Sequence, residues 1–520
     1  MKPTLSHFFT CAILSGAGLL QAEIRLPSII GDHMVLQQKQ ANPIWGWDTP
    51  GTAITVTFAG QSKSTVADAS TGRWMVKLDS LPANAEPAAL VIKGTNERTV
   101  QDVLVGEVWM CSGQSNMQWD LRQSDDGDLD ALTARRPNIR LISVPQVGTQ
   151  ELKDDFQGAW TACTPETAAT FSGIGYYFGS QLHETLGVPI GLIDNAWGGS
   201  AAEAWIRRDV LDQDPRFAAL TAGWKAREDA FPAAMAAYEI ALAEWKDKAA
   251  AAEAAGQTPP PRPGAPDNGM RGNARPGNIY GGVLHSTVGY GLRGVIWYQG
   301  ESNAGRAHEY RTLFPLMISH WRDLWKQGDF PFYWVQLADF MAEKPEPGES
   351  AWAELREAQS LTQSAIPNGG QAVIIDIGEA NDIHPRNKRE VGARLARLAL
   401  ARDYGLSSLP AHSPEFKNMS IAGDKITLAF NHVSGGLRAH DDSVVKGFAV
   451  CGEDRKWVWA EAQISGQRDQ IIVSSAAVPA PVAVRYAWAD NPVCNVVSAA
   501  GLPLTPFRSD DFPMVTAPKP

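Results

Sequence analysis

Between residues 23 and 101, apolar and polar positions alternate in short runs, at 34–36, 44–47, 53–58, 74–78 and 89–92. Turn residues such as Thr49-Pro50-Gly51 and Ser70-Thr71-Gly72 separate them. Alternation broken by regular turns predicts a small β-sandwich-like domain over 23–101. The rhythm then changes. Continuous apolar runs at 103–110, 139–144, 189–194, 294–298, 332–337 and 372–377 alternate with helical spacing at 168–186, 310–325 and 387–401. Strands apolar on both faces, interleaved with helices, predict a parallel sheet covered on both sides, an α/β domain over 102–405. One stretch interrupts this pattern. Residues 209–248 are rich in Ala, Glu and Lys at helical spacing, and 256–278 are rich in Pro and Gly. Together they predict a helical and Pro-rich insertion at 209–278, its second half a flexible or extended connector. Short strands return at 425–430 and 470–473, so 406–520 is expected to be a β-rich C-terminal region.

The first residues follow a different logic. Lys2 precedes a short apolar stretch at 8–20, and Leu20-Gln21-Ala22 offers a small residue before a cut. This is the layout of an export signal over 1–22, with a mature chain starting at Glu23 in the periplasm or outside the cell. The stretch is too short to span a bilayer comfortably, and no later run is long enough, so no membrane span is expected. A length of 520 residues calls for two or three domains, and 44% hydrophobic with 20% charged residues is a globular composition. The formal charge of −11 argues against a nucleic-acid partner, which needs clustered Lys and Arg. Beyond the signal stand Cys111, Cys163, Cys451 and Cys494 without CxxC spacing, so no zinc cluster is expected and no disulfide framework is defined.

Four polar motifs stand at or shortly after the ends of the expected parallel strands, where open α/β sheets hold their ligands. In Gly113-Gln114-Ser115-Asn116-Met117 a serine sits on a strand-to-helix turn. Alone it reads first as a helix N-cap. In Trp197-Gly198-Gly199-Ser200 paired glycines let the backbone approach a ligand and donate to an oxyanion. Trp297-Tyr298-Gln299-Gly300-Glu301-Ser302-Asn303 adds a side-chain amide, and Asp382-Ile383-His384 adds a base with a carboxylate two residues before it. No GxSxG elbow occurs, which separates this set from ordinary α/β-hydrolases. Trp119, Trp197, Trp205 and Trp297 lie around these motifs as candidates for stacking on a sugar, with core packing favoured for Trp297 and the two roles balanced for Trp119 and Trp205.

The set resembles the SGNH-hydrolase superfamily and, more narrowly, the sialate O-acetylesterase family of carbohydrate esterases. The matching text includes residues 106–117, Trp197-Gly198-Gly199-Ser200 with Glu203-Ala204-Trp205, residues 294–303 and Asp382-Ile383-His384-Pro385. Tyr280-Gly281-Gly282-Val283 stands where the family usually carries Asn-Gly-Met. The resemblance implies an SGNH-type three-layer α/β/α catalytic domain with a parallel sheet, flanked by β-rich N- and C-terminal regions. It implies Ser115 as nucleophile, His384 as base and Asp382 as its orienting acid. The oxyanion donors would be the Ser115 N–H, Gly199 in preference to Gly198, and Asn303. Gln114, Trp197, Gln299 and Glu301 are supporting or substrate-binding candidates. The expected reaction removes acetyl groups from an O-acetylated sugar or glycan without metal or organic cofactor. Sialate is the first expectation. Acetylated xylan or another glycan is the alternative substrate, and an inactive carbohydrate-binding protein on the same fold is the alternative of a different class.

Overall fold

The computed structural model describes residues 23–266 and 269–518, so the expected export signal lies outside the described residues. The N-terminal part contains β1 (Val35–Gln37), β2 (Asn42–Trp47), β3 (Ala53–Phe58), β4 (Gln61–Val66), β5 (Arg73–Leu78), β6 (Asn84–Lys93) and the 17-residue β7 (Glu97–Gly113). β2 pairs with β5, while β3 lies between β4 and β6, and β6 pairs with the first half of β7. Alternate residues Ile54, Val56 and Phe58 of β3 and Trp74, Val76 and Leu78 of β5 are buried, the period-2 pattern of strands with one apolar face.

β7 does not stop at the expected boundary. Its second half is a central strand of the parallel sheet, so residue 101 falls inside one continuous strand shared by the two units. The remaining strands are β8 (Arg136–Ser143), β9 (Thr161–Cys163), β10 (Ile190–Asp194), β11 (Gly294–Tyr298), β12 (Phe332–Val335) and β13 (Gly369–Ala372). Their order is β13-β12-β11-β7-β10-β8-β9, parallel except at the β9 edge. The chain leaves β7 first toward β8 and β10, then returns to build β11, β12 and β13 on the other side. β7 is therefore the switch point, beside which ligands bind in such sheets.

The helices that bear on the sheet and the site include α1 (Ser115–Gln118), α2 (Gly173–Leu186), α3 (Ala218–Ala254), α4 (Ala307–Trp325), α5 (Ala351–Ala365) and α6 (Lys388–Arg402). Trp109 on β7 meets Phe178 of α2 edge-on, with centroids 5.0 Å apart. Trp297 on β11 points to the opposite face, against Phe314 and Trp321 of α4. Both faces are thus covered, and the fold is an SGNH-type α/β/α sandwich with β-rich flanks.

Two expectations need correcting. The strand expected at 372–377 is β13 at Gly369–Ala372, because Val373 and Ile375 leave the sheet and enter the core of the C-terminal region. At the two ends of the Pro- and Gly-rich stretch, Arg275 pairs with Glu228 of α3 at 2.8 Å, and the Pro260 carbonyl accepts from Trp245 at 2.7 Å. α3 itself, 37 residues long, buries only Trp224 and Ala249 and stands as an arm along the surface. Trp205, balanced between sugar stacking and packing, is fully buried against Trp297 and Trp321.

The C-terminal region forms two four-stranded antiparallel sheets around Ile426, Leu428, Val450, Ile471, Val473 and Val484. The fully buried Arg356 of α5 ties it to the α/β unit by donating to the carbonyls of Leu337, Ala338, Ala489 and Asp490. Cys111, Cys163, Cys451 and Cys494 are unpaired thiols, and no described helix is long and apolar enough to cross a membrane.

β7 ends at Gly113, whose φ of +129° and position against β11 leave no room for a side chain: a Cβ would lie 2.1 Å from the Tyr298 carbonyl oxygen. Gly113→Ala is expected to destabilise the α/β unit by about 2 kcal/mol or more, read as an earlier urea transition.

Candidate active site

Four loops meet above the carboxyl ends of β7, β10, β11 and β13. Gly113 lets the chain turn sharply off β7, and Ser115 becomes the first residue of α1. The N-cap position belongs to Gln114, which makes no side-chain cap bond, so Ser115 is not the cap that its sequence context allowed. Its hydroxyl instead lies 2.8 Å from His384 Nε2. His384 comes from the loop between β13 and α6, and its ring stacks on Trp119 at 4.9 Å and 19°. Burial, then the nearby Lys388 charge, lowers its pKa, while Asp382 acts in the opposite sense. The imidazole is therefore the free base at neutral pH and can accept the serine proton.

Asp382 accepts the His384 backbone N–H at 2.8 Å and lies 3.4 Å from His384 Nδ1. The short bond shapes the loop, and the ring contact is the longer one. The Ser115 N–H points out of the first turn of α1 without a partner among the described residues, as the first N–H groups of a helix do. In the second motif the two glycines differ. The Gly198 N–H is taken by Gln118 Oε1 at 2.7 Å, whereas the exposed Gly199, at φ +71°, has a free N–H. Gly198 also approaches Ser115 closely, since a Cβ there would lie 3.3 Å from Ser115 Cβ.

Asn303 is buried and oriented by three bonds. Its Oδ1 accepts from the Ala202 N–H at 3.0 Å and from Gln299 Nε2 at 2.6 Å, and its Nδ2 donates to Glu203 Oε2 at 2.9 Å. One amide N–H of Asn303 is left over. Gln299 is fixed in turn by Tyr310 and by the Ser200 carbonyl, and Glu203 pairs with Arg306. Gln114 is buried and its Oε1 faces the N–H groups of Gly300 and Ser302 at 3.4 and 3.5 Å, so Gln114 and Gln299 brace the loops. Glu301 accepts from Asn116 Nδ2 at 2.7 Å, and burial raises its pKa. Trp197 is half-buried beside Gly198 and donates its backbone N–H to the Gly113 carbonyl at 2.9 Å. Tyr280-Gly281-Gly282 is wholly buried, its glycines pressed on the backbone of residues 147–149.

Sequence reasoning gave no role to Gln118, Asn116, Lys388 or Asn273. Asn273, in the Pro-rich connector, accepts the Ala201 N–H through its carbonyl and donates to the Gly198 carbonyl, bracing the glycine loop from outside the sheet. Nothing in a connector of that composition marks such a residue. Among the described residues no cluster of three or more His, Cys, Asp or Glu side chains is arranged to hold a metal ion.

A serine hydroxyl bonded to a neutral histidine, with free N–H groups beside it at a sheet edge, has the geometry of a serine hydrolase. Residues 275–401 match the family described as carbohydrate esterase, sialic acid-specific acetylesterase. Sialate O-acetylesterase of Mus musculus is 30% identical over 525 residues, covering 93% of this chain and 94% of the mouse protein. The Homo sapiens sialate O-acetylesterase is 28% identical over 526 residues, covering 93% of this chain and 92% of its own. A crystal structure of a carbohydrate acetylesterase from Xanthomonas citri superposes with a TM-score of 0.78 at 38% identity, over 94% of this chain and 100% of that one. The chain belongs to the sialate O-acetylesterase family of carbohydrate esterases. It is a carboxylic ester hydrolase.

The Ser115–His384 contact makes a prediction independent of substrate. A fluorophosphonate is expected to label Ser115, with a rate that rises through an inflection below pH 6.5 as His384 loses its proton. His384→Ala is expected to slow labelling by about a hundredfold or more.

Proposed function

We propose that the chain is an exported serine esterase that removes acetyl groups from carbohydrate hydroxyls, with O-acetylated sialic acid as its foremost substrate. The observation that carries this reading is the 2.8 Å bond between Ser115 Oγ and His384 Nε2. His384 takes the proton as the serine oxygen attacks the acetyl carbonyl. The N–H groups of Ser115 and Gly199 and the spare amide N–H of Asn303 receive the oxyanion. The sugar oxygen leaves with the proton from His384, and water, activated by the same base, releases acetate from the acyl-serine. Asp382 steadies the loop and favours the imidazolium formed in each step.

Membership of a family whose curated relatives are sialate O-acetylesterases supports sialate as the substrate. The more similar Xanthomonas protein carries the wider description of carbohydrate acetylesterase, and this supports acetylated xylan or another glycan as the second reading. An inactive carbohydrate-binding protein has no need of a serine and a base within hydrogen-bonding reach. Export rests on residues 1–22, and N-terminal sequencing of the mature protein is expected to start at Glu23.

Ser115→Ala is expected to lower hydrolysis of a simple aryl acetate by about a thousandfold or more. Activity that survives the change removes Ser115 as nucleophile. Asn303→Ala is expected to reduce kcat by about a hundredfold with little change in KM, and an unchanged kcat takes Asn303 out of the oxyanion site. Acetate release from O-acetylated sialic acids, acetylated xylan and acetylated monosaccharides, compared by kcat/KM, separates the two substrate readings.

A further inference from the structure

Behind the Ser115–His384 pair lies a lysine that the mechanism above does not use. Lys388 opens α6, is 1% exposed, and so carries a cation where both burial and the helix dipole oppose it. Its Nζ donates to Asn116 Oδ1 at 2.5 Å. The amide nitrogen of Asn116 donates to Glu301 Oε1 at 2.7 Å and to the Ile383 carbonyl at 3.0 Å. Asn116 follows the serine and Ile383 precedes the histidine, so one buried amide joins the serine turn, the third motif and the histidine loop. The ammonium settles which end of that amide faces which partner, because only its oxygen can meet Nζ. Lys388 Nζ also sits 5.6 Å from the centroid of Trp119, the ring on which His384 stacks.

We propose that Lys388 is a positioning residue of the Ser115–His384 pair: through Asn116 it fastens the serine turn to the histidine loop, and it sets an ammonium group beside Trp119, the ring on which His384 stacks. The inference rests on the reading of Ser115 and His384 given above. The groups around Lys388 are Glu301, Asp382, Glu379 and Asp125, with the ring of Tyr298 at 5.7 Å. Against those carboxylates, burial still brings the Lys388 amine down to about 7. His384 faces Lys388, Asp382 and the Ser115 hydroxyl, and of the two charges Lys388 opposes protonation while Asp382 favours it. The charged lysine therefore extends the free-base range of His384 toward lower pH.

The test is the pH profile of aryl acetate hydrolysis by the full chain. Lys388→Met is expected to lower kcat about tenfold and to move the acid limb of kcat/KM up by roughly half a pH unit. Lys388→Gln, which keeps an amide donor for Asn116, is expected to recover part of kcat while showing the same displaced limb. Lys388→Arg is expected to keep the limb in place. An acid limb that coincides with the unaltered protein in Lys388→Met or Lys388→Gln overturns the proposal. Should these variants not fold, an NMR titration of His384 in the unaltered protein decides: a second inflection as Lys388 titrates supports the coupling, and a single inflection overturns it. Ser115→Ala run alongside keeps the two ideas apart. Residual activity there removes the nucleophile, whereas an inactive Ser115→Ala with unmoved Lys388 profiles removes only the role of Lys388.

Discussion

At the site the end of β7 lies so close to the end of β11 that Gly113 rests on the Tyr298 backbone with no space for a Cβ. The Gln114 N–H donates to the Tyr298 carbonyl at 2.8 Å, and the Gly113 carbonyl accepts the Trp197 N–H at 2.9 Å. The strand that ends in the serine turn is thus fastened on both sides to the strands that carry the glycine and asparagine loops. Ser115 leaves the sheet in a direction set by this contact, and its distances to the other groups follow from it. A residue with a side chain at position 113 would push the three loops apart.

Around this contact the polar groups are arranged in two layers. The inner layer is small: the Ser115 hydroxyl, the His384 ring and the free N–H groups of Ser115 and Gly199. The outer layer is buried and densely hydrogen-bonded. Tyr310 and Gln299 hold Asn303, Glu203 bridges Asn303 and Arg306, and Asn116 joins Glu301, Lys388 and the histidine loop. Such networks hold geometry because every displaced member leaves a buried polar group unpaired. The insertion contributes as well, since Asn273 closes the glycine loop from above.

Apolar period was a good guide wherever burial was apolar. β11 occupies the run at 294–298 without a residue's difference, and α4 and α6 start and end close to the expected spans. It failed where burial is polar or shared. α5 went unseen because its buried residues mix Trp352, Leu355 and Ala358 with Glu354, Arg356, Gln359 and Thr362, whose polar side chains interrupt the apolar period and bond to backbone and loops. β4 is an edge strand of Gln, Ser, Lys and Thr closed by an exposed Val66, with no buried residue. Val373 and Ile375 look like strand residues yet serve a second core. At the site, the motif residues were legible because four strand ends converge there. Lys388 and Asn273 were not, since a lysine at a helix start and an asparagine in a Pro-rich connector read as solvent-facing.

The central claim is that a carbohydrate acetyl group passes through Ser115. The direct measurement is acid quench of the full chain during the first turnovers of an aryl acetate, followed by peptide mass spectrometry. An acetyl adduct on the peptide holding Ser115, absent without substrate, is the expected result. Acetate release with Ser115 unmodified, or an adduct on another side chain, would contradict the account.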